Sequence, residues 1–368
     1  MGEDIEKPEK VEALNIDSKK VNHDYVKPSA HAVDKDSWQQ VGVMLVTSFN
    51  CAYVLSFSNL MLVPLGWAWG ISCLIMVGAF AFYANWLLAD FHIIDDCRFI
   101  RYRDLMGYVF GRRLYYTTWI LQFLTLLLGN MGFILLGGKA LKEINLEFNS
   151  TSMRLQVFIV ITGFVYFLFA YLVPTMSAMR NWLAPSAIFT ITFEVTLLAI
   201  LLKDGKRSER EKDYNIHGSK TDKIFNAFGA IAAILVCNTS GLLPEIQSTL
   251  RKPAVVNMRK ALIMQFTIGL AIYYGVSIVG YWAYGSSVSA YIPSELSGPK
   301  WAKVLINSFA FLQSIVSQHV KGKSSNGVEK AWHWINIIVF SFLSIITTAS
   351  AIRIIVNNAR IYYFFADT

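Results

Sequence analysis

Nine predominantly apolar stretches dominate this chain: 41–63, 68–90, 118–138, 155–175, 182–202, 224–244, 261–284, 304–319 and 331–352. Most run 21–24 residues, the length an α-helix needs to cross about 30 Å of hydrocarbon. They fill more than half of the 368 residues. Backbone polar groups in such segments must be satisfied without water, and helices do that internally. The prediction is an all-α polytopic membrane protein with nine transmembrane helices. Composition agrees: 54% of residues are hydrophobic, 16% are charged and mean hydropathy is +0.43, whereas soluble domains carry about 25% charge. A soluble enzyme, a disulfide-stapled secreted domain and a nucleic-acid binder are excluded.

The net charge of +8 does not form a basic patch. Its densest run, Lys203 to Asp213, mixes both signs and reads as a solvated loop. Cys51, Cys73, Cys97 and Cys237 show no metal-ligand spacing and read as small buried hydrophobes. Residues 1–37 are polar, with no apolar h-region, and predict a disordered tail ahead of one permease domain, 38–368. All ten tryptophans lie within about four residues of a span end, as rings at the headgroup level of a bilayer do. A cytosolic N-terminus puts 19 Lys and Arg inside and 14 outside, a weak bias of the correct sign. That choice leaves Asn149 of Asn149-Ser150-Thr151 outside, as a glycosylation candidate. The second sequon, Asn238-Thr239-Ser240, falls inside a span.

Two spans depart from the lipid-facing pattern. The first is polar through Asn50, Cys51, Ala52 and Tyr53, and the sixth ends in Asn238, Thr239, Ser240, Gly241 and Pro244-Glu245. Polar groups at bilayer depth are costly unless they face protein or a water-filled cavity. Such residues also loosen a helix, and a broken helix exposes N–H groups on one side and C=O groups on the other. Two interrupted spans point to a transport site; the competing reading is small-residue packing with Ser and Asn interhelical bonds. Asn130, within Gly129-Asn130-Met131-Gly132, is a further cavity donor. Glu194 lies mid-span in otherwise apolar surroundings and must be neutral or paired; Glu245 sits where span six meets the cytosol. Both are proton-coupling candidates, with structural and exposed helix-end roles as the alternatives. No P-loop, G-x-S-x-G or H-E-x-x-H pattern occurs in the sequence. Transport would be secondary, without catalysis, metal or cofactor.

Longer motifs carry a family resemblance: VGVMLVTSFN at 41–50, FSNLMLVPLGW at 57–67, FIRYRDLMGYVFG at 99–111, LGNMGFILLGGKAL at 128–141 and NTSGLLPEIQSTLRKPAV at 238–255. GYWAYG at 280–285, LSGPKW at 296–301, AWHWINI at 331–337 and IRIIVNN at 352–358 follow. The chain resembles the amino acid/auxin permease family, and within it the plant proline transporters. That resemblance implies a leucine-transporter-like fold of two inverted five-helix repeats with an eleventh helix. It also implies proton-driven symport of proline, glycine betaine and γ-aminobutyrate across the plasma membrane. Substrate would sit against the breaks at Cys51 to Ser56 and at Asn238 to Gly241. Cys51-Ala52-Tyr53 replaces the glycines usual in the family.

Against that pattern the chain is two spans short. The match holds through Ser317-Gln318-His319 and then jumps to the segment before the last helix. Helices nine and ten are expected to be missing, leaving an incomplete second repeat. Span 304–319 is the weakest of the nine, carrying Asn307, Gln313, Ser314, Gln318 and His319. The alternative to a symporter is therefore a shortened, non-transporting chain that associates with full-length permease subunits.

Overall fold

A computed structural model of the chain describes residues 34–94, 97–149, 153–173, 176–207, 212–217, 219–238 and 242–320. The first span is not one helix. Ser37 caps α1 (Trp38–Phe49), its Oγ accepting from Gln40 N while Gln40 Oε1 accepts from Ser37 N, a capping box. Helix α1 stops at Asn50, and Cys51 is extended at φ −62° and ψ 151°. The chain winds up again as α2 (Ala52–Ser56), stops at Phe57-Ser58 and resumes as α3 (Asn59–Leu62). The first break is thus narrower than the sequence predicts, since Ala52 to Ser56 are already helical.

Helix α4 (Gly66–Asp90) leads to a two-residue ladder of β1 (Ile93–Ile94) with β2 (Cys97–Arg98), which with an isolated bridge between Asp36 and Leu250 departs from an all-α chain. Then come α5 (Tyr102–Phe110), α6 (Arg112–Phe148), α7 (Leu155–Leu172), α8 (Met176–Arg207), α9 (Lys220–Asn238) and α10 (Leu243–Ser248). Helix α11 (Ala254–Met264) passes through a π-turn at Gln265–Gly269 into α12 (Leu270–Tyr284), and α13 (Lys300–Val320) closes the described bundle.

Among the described residues, six stretches are long and apolar enough to cross a bilayer: Gly66–Asp90, Arg112–Phe148, Leu155–Leu172, Ala184–Arg207, Asn226–Ser248 and Ala254–Tyr284. The nine expected spans differ for physical reasons. The first is cut into pieces, 304–319 is a helix carrying buried Asn307, Gln313 and Ser314, and 331–352 lies outside the described residues. The chain is a multi-pass membrane protein, and α7 shows why. Val160, Phe164, Phe167 and Tyr171 are 61–75% exposed, while Thr162 and Tyr166 point inward and are buried. Apolar groups outside and polar groups inside is the arrangement that suits lipid.

Helix α13 packs on α6 and α8, α6 on α7, α1 on α11, and α8 on α12. Lipid tails give apolar helices no hydrophobic reason to associate, so close contact falls to small residues. A Cβ on Gly138 would stand 3.2 Å from the Ile159 backbone nitrogen, so only glycine lets α6 and α7 approach this closely. Ion pairs tie the ends: Asp90 of α4 pairs with Arg259 of α11, whose guanidinium lies 4.8 Å from the Trp86 ring centroid. Residues 34–37, assigned by composition to the disordered tail, instead run alongside the end of α10. Lys35 N and Asp36 N both donate to Thr249 O at 2.9 and 2.8 Å.

Candidate functional site

The two interrupted spans share one side-chain contact. Asn50 closes α1 by turning its side chain back, Nδ2 donating to Val46 O at 3.1 Å. Asn238, the last described residue of α9, likewise has Nδ2 donating to Ile234 O at 2.8 Å. Each amide satisfies a carbonyl four residues upstream and so directs its Oδ1 away from its own helix. Both asparagines are buried, at 0% and 1% exposure, and neither Oδ1 has a partner among the described residues. A buried acceptor without a donor costs about 1–3 kcal/mol. Both acceptors lie at or beside the interruptions of their spans.

The surroundings bring the two breaks together. Cys51 and Ala52 are buried, and the Tyr53 ring lies in the cleft left by Gly132, where a Cβ would meet it at 2.8 Å. Tyr53 packs against Phe57 and Phe133, both at 5.4 Å between centroids. Cys237, the residue before Asn238, is an electrostatic neighbour of both Tyr53 and Tyr273. Opposite Asn50, the π-turn brings Gly269 so close that a Cβ there would stand 3.5 Å from Asn50 Nδ2. Such bulges often mark functional positions. Gln265 in the same turn adds another buried acceptor, Oε1, without a partner among the described residues.

The remaining predicted residues are distributed unevenly. Asn130 is half-buried on α6, with its Oδ1 likewise unpartnered among the described residues. Glu194 is 6% exposed on α8, a helix packed on α1, α2, α12 and α13, and its Oε1 has no donor among the described residues. Glu245 is elsewhere: half-buried on α10, it faces Arg101 and Arg103. Thr239, Ser240 and Gly241 lie outside the described residues. Asn149 is the exposed C-cap of α6, its Nδ2 donating to Asn145 Oδ1 at 2.9 Å. Sequence reasoning missed Gln313 of α13 as part of this site. Its Oε1 accepts the Ala52 N–H at 3.1 Å, so a residue 261 positions away holds the break from the neighbouring α13. Among the described residues, no group of three or more His, Cys, Asp or Glu is placed to hold a metal ion.

Residues 34–322, which include both breaks and Gln313, match the transmembrane amino acid transporter protein family. The chain belongs to that family. Among its transporter relatives, GABA transporter 1 of Arabidopsis thaliana is 30% identical over 298 residues, covering 76% of this chain. Lysine histidine transporter-like 6 of Arabidopsis thaliana is 27% identical over 287 residues, covering 75% of this chain. The chain spans 64% of the length of each of these two relatives. Family membership accounts for the membrane helices.

Proposed function

We propose that the chain is a proton-coupled symporter of proline and related compatible solutes, such as glycine betaine and γ-aminobutyrate, in the plasma membrane with a cytosolic N-terminus. The observation that carries this reading is the matched pair of free acceptors, Asn50 Oδ1 and Asn238 Oδ1, at two helix ends. Acceptor oxygens suit the N–H groups of proline or γ-aminobutyrate and, by charge alone, the quaternary nitrogen of glycine betaine; broken helices near the middle of a bundle suit small zwitterions. The leucine-transporter-like arrangement belongs to the same reading, with α1–α3 and α9–α10 as its interrupted helices. Expressed in a host lacking amino acid uptake, the chain is expected to accumulate labelled proline above vector control at acidic external pH. Uptake equal to the vector would overturn the reading.

The coupled proton belongs on Glu194 in this scheme. A charge at the centre of a transmembrane helix costs about 2.5–3.5 kcal/mol, so a carboxyl there stays protonated until a substrate cation or water reaches it. Glu194→Gln fixes the neutral form. Its uptake is expected to lose its dependence on external pH, whereas Glu245→Gln keeps the wild-type profile because Glu245 faces Arg101 and Arg103. A pH profile unchanged by Glu194→Gln would remove Glu194 from the coupling path. Association with full-length permease subunits is the alternative reading. Co-expression that leaves the uptake and location of a full-length permease unchanged would count against it.

A further inference from the structure

Lys139 is held by two rings rather than by an anion. Lys139 lies on α6 two turns beyond Gly132. Its Nζ stands 5.0 Å from the Phe57 ring centroid and 5.6 Å from that of Tyr291. The two rings are 5.5 Å apart and tilted by 48°. Both are fixed from behind: Tyr53 packs on Phe57 at 5.4 Å, and the buried Tyr291 donates its hydroxyl to Asn307 Oδ1 at 2.8 Å. Tyr53, Phe57 and Tyr291 therefore form a line of rings. It leads from the first break toward the bundle end opposite residue 34.

Lys139 has an alternative on its own helix. Glu143 is four residues on, the spacing at which helical ion pairs form, and both Glu143 and Lys142 act on Lys139 electrostatically. Among the described residues Lys139 nevertheless makes no ion pair and no hydrogen bond, and its ammonium rests on the two ring faces. Ring faces attract cations through their quadrupoles, most strongly where water is partly excluded, and Lys139 is half-buried. The rings make a cation seat, and the lysine fills it.

We propose that the Phe57–Tyr291 pair is an outer binding site for the onium group of a zwitterionic substrate, with Lys139 as its tethered occupant. An arriving zwitterion takes the ring faces, and the displaced lysine meets its carboxylate. A cationic amino acid brings a second uncompensated charge beside Lys139 and is rejected, since like charges repel strongly in a low-dielectric setting. This rests on the transport reading, placing a selectivity step above the paired breaks.

Tetramethylammonium, an onium ion without a carboxylate, reads the seat alone. Its binding to the whole purified 368-residue chain is measured at constant ionic strength, with each variant checked for a monodisperse state. Lys139→Met keeps the stem but removes the competitor, and is expected to tighten binding about fivefold. Lys139→Arg retains a competing cation and is expected to match wild type. In the Lys139→Met background, Phe57→Leu is expected to abolish the gain and Phe57→Tyr, which keeps the ring face, to preserve it. Equal affinity for wild type and Lys139→Met, or no measurable binding to any variant, would overturn the proposal. Because the readout is binding, failure of proline uptake counts against the transport reading without deciding this one.

Discussion

Replacing Gln313 with leucine is expected to abolish uptake and to lower the melting midpoint of the purified chain. Ala52 begins the short helix that restarts the first span, and its N–H has Gln313 Oε1 as acceptor at 3.1 Å. Leucine has nearly the same volume but no acceptor, so the change leaves a buried N–H unpaired and costs about 1–3 kcal/mol. The helix has a cheap way to relieve that cost. Shifting the break to recover a carbonyl partner would move Asn50 and its free Oδ1, which explains why transport should suffer more than stability. Gln313→Glu keeps an acceptor oxygen in place and is expected to retain most of the melting midpoint. Wild-type uptake and melting in Gln313→Leu would show that the break is held by something other than this bond.

Gln313 also shows what the sequence conceals. Asn307, Gln313 and Ser314 make 304–319 look like a poor membrane span, yet each answers a polar group elsewhere in the bundle. Asn307 accepts from Tyr291, Gln313 accepts from Ala52, and Ser314 Oγ meets the Tyr166 hydroxyl, which also donates to Phe133 O at 2.9 Å. The Gln313 contact joins residues 261 positions apart. Periodicity and composition register the polarity of such a residue but not its distant partner, so a structural tie reads as a defect. The break after Asn50 was legible because local residues cause it: asparagine competes for its own backbone wherever it stands. Lys139 was invisible for the opposite reason. It lies toward the end of a span, where a lysine is ordinarily taken to reach for water, and only the folded chain places Phe57 and Tyr291 beneath it.

Arg98→Ala is expected to open the face that holds residue 34, read above as cytosolic. Arg98 donates to Asp34 Oδ1 and Oδ2 at 3.0 and 3.3 Å, to Ser248 O at 2.9 Å and, through Nε, to His92 Nε2 at 2.8 Å. It thereby pins the entry to α1 against the end of α10, beside the backbone bonds from Lys35 and Asp36 to Thr249. The two interrupted helices cannot separate at this face while that pin holds. With Cys51 as the one remaining cysteine, its labelling by a membrane-impermeant thiol reagent on this face reports separation, because Cys51 is 3% exposed beside the first break. Coupling of this kind is typically worth about 5–150-fold, and a rise of at least that lower bound is expected for Arg98→Ala. Asp34→Ala should act in the same direction but less, since the Ser248 and His92 contacts remain. Acid should act likewise. Burial first, and then the charge of Arg98, push the His92 pKa down from 6.5 to about 4, against a smaller opposing pull from Asp34. The closed face therefore binds the proton less well than an open one. Its His92 contact is fully present above about pH 6.5, the ordinary histidine value, and is lost as pH falls toward 4. Because the thiolate is the reacting form, labelling is expressed relative to a free thiol at the same pH; that ratio should rise over this window in wild type and stay flat in His92→Gln. Equal labelling of wild type and Arg98→Ala at neutral pH would show that the pin does not hold this face shut.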